Sequence, residues 1–158
     1  MTIGILSDTH DNLPKIDEAV GLFNRSRVGF VLHAGDFVAP FTIDRLKKLS
    51  CDWAGVFGNN DGEREGLSLR SEGRIKPPPL RLVLEGRRIT VVHDRAGLDF
   101  GAEKADLIVY GHSHKPGIAH SGTALVVNPG ECSGWLSGHS TVAFVDLADM
   151  KARIEELT

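Results

Sequence analysis

Asp8 and His10 stand two residues apart, as do His112 and His114, and between these pairs the chain carries Asp36, Asn59 and His93. Side chains alternate faces along an extended chain, so residues two apart point the same way. Asp8 with His10, and His112 with His114, can therefore each converge on one ion. Two aspartates, one asparagine and four histidines exceed the needs of one zinc ion, which takes four ligands or three plus water. Two dications about 3.5–4 Å apart match the count, but they repel each other and need an anion between them. Asp36 can be that bridge. A hydroxide shared by the pair would be the nucleophile, since metal binding lowers the pKa of water to about 7 in favourable cases. Nitrogen and oxygen donors without thiolate suit Mn, Fe, Co, Ni or Zn.

The placement of these residues gives the pattern its weight. Ser7-Asp8-Thr9-His10, Gly35-Asp36, Gly58-Asn59-Asn60-Asp61, His93-Asp94 and Gly111-His112-Ser113-His114 each follow an apolar run, at residues 3–6, 30–32, 53–57, 89–92 and 107–110. Open α/β sheets bind ligands outside the carboxyl ends of their strands, so loops from five strands can meet at one edge. Asn12 can cap a helix with Pro14 in its first turn, and Leu13, Ile16, Val20 and Phe23 recur at helical spacing. A second helix is expected from about 40 to 49, with Phe41, Ile43, Leu46 and Leu49 as its stripe. This alternation implies a parallel sheet. Beyond residue 80, runs at 80–84 and 89–92 flank Glu85-Gly86-Arg87-Arg88 and read as a hairpin. Residues 124–127 and 141–145 add short strands, and 153–157 fits either strand or helix.

In order and spacing these motifs resemble the calcineurin-like metallophosphoesterases, whose pattern runs Asp-X-His, Gly-Asp, Gly-Asn-(His/Cys)-(Asp/Glu), His, then Gly-His-X-His. The match continues into Asn128-Pro129-Gly130, a run typical of small bacterial and archaeal phosphodiesterases of about this length. The resemblance implies that Asp8, His10 and His114 hold one metal, that Asn59, His93 and His112 hold the other, and that Asp36 is shared. It also implies two packed mixed β-sheets flanked by helices, a four-layer α/β/β/α sandwich forming one domain over 1–158. The expected activity is hydrolysis of a small phosphate ester, a diester ahead of a nucleotide or metabolite monoester. Manganese is the expected ion, with Ni, Co, Fe or Zn open. Asp36 and His114 are the expected catalytic residues, His114 as one candidate to help the leaving group.

Two positions depart from that pattern. Asn60 stands where the family has His or Cys, and an amide cannot give up a proton at ordinary pH, so it is read as a substrate contact. Asp94 follows His93 where Gly is usual; it is either a turn residue or a carboxylate that orients a histidine. Asp61 is assigned the latter kind of supporting role. Between 62 and 79 lies a charged stretch ending in Pro77-Pro78-Pro79, read as a solvated helix and loop. Its Arg64 is the best candidate for a substrate phosphate. His33 is expected to be a hydrogen-bonded structural residue, and His120 and His139 to lie at the surface.

The 158 residues suit one domain. Cys51 and Cys132 are too few and too far apart for a disulfide framework, which fits a reducing cytoplasm. No secretory signal or bilayer-length apolar stretch is evident. A formal charge of −3 argues against a general nucleic-acid binder, and homo-oligomer formation stays open. The same fold also serves as an interaction scaffold in a retromer subunit. A scaffold under no catalytic demand would be expected to lose histidines, and all seven candidate ligands are present.

Overall fold

The computed structural model describes residues 1–158. Its first strands are β1 (Thr2–Leu6), β2 (Phe30–His33) and β3 (Asp52–Val56), buried over most of their length, as befits strands covered on both faces. They run parallel, with Ile3 opposite Phe30 and Phe30 opposite Asp52. β4 (Ile75–Lys76) extends this sheet beyond β3, while β10 (Thr141–Asp146) and β11 (Lys151–Glu156) extend it antiparallel beyond β1, giving the order β11-β10-β1-β2-β3-β4. A second sheet has the order β5-β6-β7-β9-β8. Its strands are β5 (Leu80–Leu84), β6 (Arg87–Val91), β7 (Leu107–Val109), β8 (Gly117–Ser121) and β9 (Ala124–Asn128).

Period-two alternation sorts the side chains between layers. Ile3, Ile5, Leu32 and Val56 meet Val91, Leu107, Val109 and Val127 between the two sheets. The outer face of the first sheet is covered by α1 (Leu13–Arg25), α2 (Ile43–Leu46) and α3 (Arg64–Arg70). There Ile16, Val20 and Phe23 pack with Val31, Trp53 and Phe144. Phe23 is fully buried, edge-on to Phe144 at 5.4 Å. β1 passes beneath it as Gly4, where a Cβ would stand 2.6 Å from the ring. Phe23→Ala would therefore open a cavity costing about 3–5 kcal/mol. Over the outer face of the second sheet, Ile108 and Val126 pack with Phe100 and Ala105. The chain there forms only a 3₁₀ turn, Arg95–Gly97, so this last layer is thin.

Several expected elements differ in detail. The second helix is shorter than 40–49: Pro40–Thr42 is a 3₁₀ turn, α2 follows for one turn, and Phe41 is half exposed rather than part of a buried stripe. The charged 62–79 stretch contains α3 and also the two-residue β4. Residues 151–156 form a strand, paired with β10. The hairpin turn is just Glu85-Gly86, both at positive φ, and the strand resumes at Arg87, a geometry that matches the twist of two-residue hairpins. Asn12 caps α1, accepting from the Lys15 N–H at 3.3 Å.

Candidate metal centre

β1 stops at Leu6 and β7 at Val109, before their motifs begin. The alternation of an extended chain therefore does not bring the candidate ligands together. Left-handed backbone does: Asp8, His10, Asp36, His112 and His114 have φ of 53°, 39°, 62°, 65° and 59°. Such φ values are sparse for residues other than glycine and cluster at functional sites. One result is that His112 and His114 do not converge on one point. Neighbouring glycines make room: a Cβ on Gly58 would stand 2.1 Å from Asp36 Oδ1, and one on Gly111 would stand 2.0 Å from Ser7 Oγ.

The side chains form two abutting groups. In the first, Asp8 Oδ1 lies 3.7 Å from His10 Nε2 and 3.4 Å from His114 Nε2. In the second, Asn59 Oδ1 lies 2.8 Å from His93 Nε2 and 3.0 Å from His112 Nδ1. Asp36 Oδ2 joins them, 3.4 Å from both His10 Nε2 and His93 Nε2. Asp8 and Asp36 are fully buried.

Charge and orphaned atoms show that a cation fits. Asp8 pulls the His10 pKa up, with Asp36 and Glu131 adding to the effect and burial opposing it. Burial likewise opposes His93, yet Asp36 raises it. For Asp36 itself burial is outweighed by His93 and by bonds from Asn60, which hold the carboxyl far below the usual range. Buried Asp8 Oδ1 and His10 Nε2 have no hydrogen-bond partner. Unsatisfied buried polar atoms are costly and uncommon, and oxygen and imidazole donors aimed at one point suit a divalent transition metal.

The surrounding residues hold these donors still. Asp61 accepts from the N–H groups of Asp36, Val38 and Gly58 at 3.0, 2.8 and 2.7 Å, wrapping the Asp36 turn around its carboxylate. His33 is buried, accepts from the Gly35 N–H at 3.1 Å and stacks on Phe37 at 3.6 Å. Burial pushes its pKa well down, so it is a neutral structural residue. His139 is exposed and bound to Glu156, and His120 lies on exposed β8.

Asn60 donates to Asp36 through its backbone N–H at 2.9 Å and its amide at 2.8 Å. Arg64 donates to the carbonyls of Asp61 and Gly58. With Asn59, His93, Asp94 and His112 it lines a cleft of about 300 Å³. Asp94 caps the Arg95–Gly97 turn by accepting from the Ala96 N–H at 2.9 Å; its carboxylate is 3.8 Å from His112 Nε2, too far for a hydrogen bond. A hollow of about 220 Å³ at Cys51, Asp52 and Trp53 lies at the amino end of β3, away from this chemistry.

One residue carries more of the site than its sequence suggests. Glu131 is fully buried and accepts from His114 Nδ1 at 2.9 Å, Ser133 Oγ at 3.0 Å, and the N–H groups of Leu136 and Ser137. Burial opposes its ionisation, but Ser137 above all, with His114 and the Leu136 N–H, holds its pKa at about 2. The only sequence signal was its place after Asn128-Pro129-Gly130.

Comparison with known proteins agrees with this architecture. Residues 1–150 match the family model for the calcineurin-like phosphoesterase superfamily domain. A phosphodiesterase of Methanocaldococcus jannaschii is 37% identical over 154 residues, covering 92% of this chain and 93% of its own. The solved structure of an archaeal phosphodiesterase superposes with a TM-score of 0.91 at 34% identity, over 99% of this chain and 100% of the other. A mutant of Vps29 from Entamoeba histolytica, at 17% identity and a TM-score of 0.73 over 100% of both chains, shares the fold. The two-sheet frame and the family match over nearly its whole length lead to one assignment: this chain belongs to the calcineurin-like phosphoesterase superfamily.

Proposed function

We propose that this chain is a metal-dependent phosphodiesterase acting on small phosphate esters. Residues 1–158 work as one domain, with two divalent ions, manganese foremost, in the cytoplasm. The observation that carries the reading is Asp36 Oδ2 standing 3.4 Å from a histidine of each ligand group. Asp8, His10 and His114 would hold one ion, Asn59, His93 and His112 the other, and Asp36 both. When bound, such ions polarise phosphoryl oxygens and make water nucleophilic near neutral pH. The diester preference draws on the M. jannaschii phosphodiesterase, 37% identical over most of both chains. The unpartnered buried Asp8 Oδ1 and His10 Nε2 weigh against a purely structural scaffold.

The chain's own residues divide the remaining work. Asp61 fixes the turn that presents Asp36, and Glu131 fixes the ring of His114. Nδ1 on Glu131 and Nε2 facing Asp8 support His114 as a ligand and leave it no free ring nitrogen for a departing oxygen. The proposal therefore uses His114 as a ligand rather than as the residue that helps the leaving group. Asn60, beside Asp36 at the mouth of the site, can offer the ester a hydrogen bond but no proton. Arg64 supplies positive charge in the cleft beside Asn59 and His112 for a phosphate oxygen.

The decisive experiment sets aryl diesters, cyclic nucleotides and monoesters against Mn, Ni, Co and Zn on purified protein, with metal analysis of each preparation. The expected result is metal-dependent diester hydrolysis with about two ions per chain. A stoichiometry at or below one, with turnover indifferent to chelator, would overturn the reading.

A further inference from the structure

Beside the ligand cluster lies a cleft of about 400 Å³ whose lining joins two chemistries. One part is His10, His114 and Asn60; the other is Val38, Trp135 and Leu136. Trp135 and Leu136 are 64% and 79% exposed, among the most exposed large apolar side chains of the chain. They are nevertheless held in place. The Trp135 indole N–H donates to the His10 carbonyl at 3.2 Å, and the Leu136 N–H donates to buried Glu131 at 3.1 Å. Val38 adds a β-branched residue at φ 85°, its N–H tied to Asp61 at 2.8 Å. For such a residue this backbone is a genuine outlier. One anchored side chain, Trp135, and two fixed stretches of backbone, at Leu136 and Val38, thus keep apolar surface beside a cluster of ionic groups.

We propose that Trp135, Leu136 and Val38 form a wall that receives a planar aromatic ester group, an aryl ring or a nucleobase, of a substrate whose phosphate sits at the adjacent ligand cluster. The inference rests on the phosphodiesterase reading. Continuity selects the occupant: His10, Asn60 and His114 line this cleft and also stand at the cluster, so a group filling it lies one ester bond from a phosphate there. The size suits a small ligand, and flat rings pack well on an indole face. The cleft beside Asn59 and His93 differs in charge: Phe57, Pro78 and Val92 also line it, but Arg64, Asp94 and His112 stand among them. A diester would therefore lie across the centre with its apolar arm towards Trp135 and its polar arm towards Arg64.

Calorimetry on the metal-loaded chain tests this with phenylphosphonate and methylphosphonate, which share a headgroup and differ in the ring. The expected affinity ratio is about tenfold in favour of phenyl, a usual size for ring stacking. It should fall to near unity in both Trp135→Ala and Leu136→Ser, compared at matched metal content. The second variant guards against disturbance of His10 through the lost indole bond. Quenching of exposed Trp135 fluorescence by the phenyl ligand, absent in Trp135→Ala, is a second supporting result. A ratio near one in the parent, or a ratio preserved in both variants, would overturn the wall while leaving the phosphodiesterase reading intact. Failure of both ligands to bind, together with no diester turnover, would sink that reading and the wall with it. Concentration-dependent dimerisation in ultracentrifugation, lost in Leu136→Ser, would make the patch an interface and also overturn the proposal.

Discussion

Glu131 Oε2 accepts the Nδ1 proton of His114 at 2.9 Å, and with Nδ1 thus occupied it is Nε2 that faces Asp8. Loss of a partner of this kind typically lowers metal affinity about 10–100-fold. Glu131→Gln should therefore weaken metal binding by roughly that factor and lower Tm, because a Gln amide turns donors towards the Ser137 and Leu136 N–H groups. Metal titration followed by a fluorescent chelator, alongside thermal melts, checks both effects. Unchanged affinity with lowered Tm would confine Glu131 to the loop.

Asp36→Asn should be among the most damaging single changes. It removes the charge shared by His10 and His93 while keeping nearly the same shape, so turnover should fall by orders of magnitude. His139→Ala removes only an exposed contact with Glu156 and should leave rate and metal content close to the parent. Equal behaviour of the two variants would refute the division between ligands and bystanders.

Metal should also stabilise the fold. A ligand that binds only the native state at 100 times its Kd adds about 2.7 kcal/mol, enough for a clear rise in Tm. Adding Mn to stripped protein should raise Tm in the parent and much less in Asp8→Asn, since Asp8 Oδ1 is one of two buried atoms without a partner. Differential scanning calorimetry with and without chelator supplies the comparison.

Asn60 should leave its mark on leaving-group dependence. A general acid contributes about 10²–10⁴-fold, and an amide cannot replace it. The parent should hydrolyse activated aryl esters far better than alkyl esters, and Asn60→His should narrow the gap by raising the alkyl rate. The measurement is the slope of log rate against leaving-group pKa at equal metal occupancy. A shallow slope in the parent would mean that another acid already serves.

Acid sensitivity has one contribution far from the centre. Asp106 accepts from Arg88 at its N–H (2.8 Å), Nε (3.2 Å) and Nη2 (3.0 Å). The Arg88 side chain and then its backbone N–H hold the Asp106 pKa at about 2. An aspartate in the unfolded chain titrates near about 3.9. The depressed folded value means that the stabilisation is fully present above that pH and is lost as pH falls through about 2. Both partners are partly exposed, so the effect is modest. Urea midpoints between pH 5 and pH 2.5 should fall less steeply in Asp106→Asn than in the parent.

Much of the frame was legible because apolar runs and motif order carry it. The strands leading to Asp8, Asp36, Asn59, His93 and His112, the Asn12 cap and the Leu80–Leu84 strand all follow from local pattern. β4 and β8 left no readable period, one because it is two residues long and the other because its residues are mostly exposed on both faces. The geometry of the candidate ligands was less legible than their place at the strand ends. Alternation suggested His112 and His114 on one ion, whereas left-handed turns send His112 to Asn59 and His114 to Asp8. Glu131 had only its place after Asn128-Pro129-Gly130 to mark it, and a lone glutamate there has no ligand spacing; only the fold brings it to His114.

Left-handed backbone at Asp8, His10, Asp36, His112 and His114, with the ligand roles proposed for them, would set stability against activity within the same few residues. Each such conformation costs about 1–2 kcal/mol for ordinary L-residues, somewhat less for aspartate, and essentially nothing for glycine. Histidine-to-glycine changes at 10, 112 and 114 would relieve strain in the metal-free chain while deleting its donors. Selection for thermal resistance alone, without an activity screen, would thus be drawn towards dismantling the centre. A lineage freed from metal chemistry should first accumulate glycine and asparagine at these positions, well before valine or threonine.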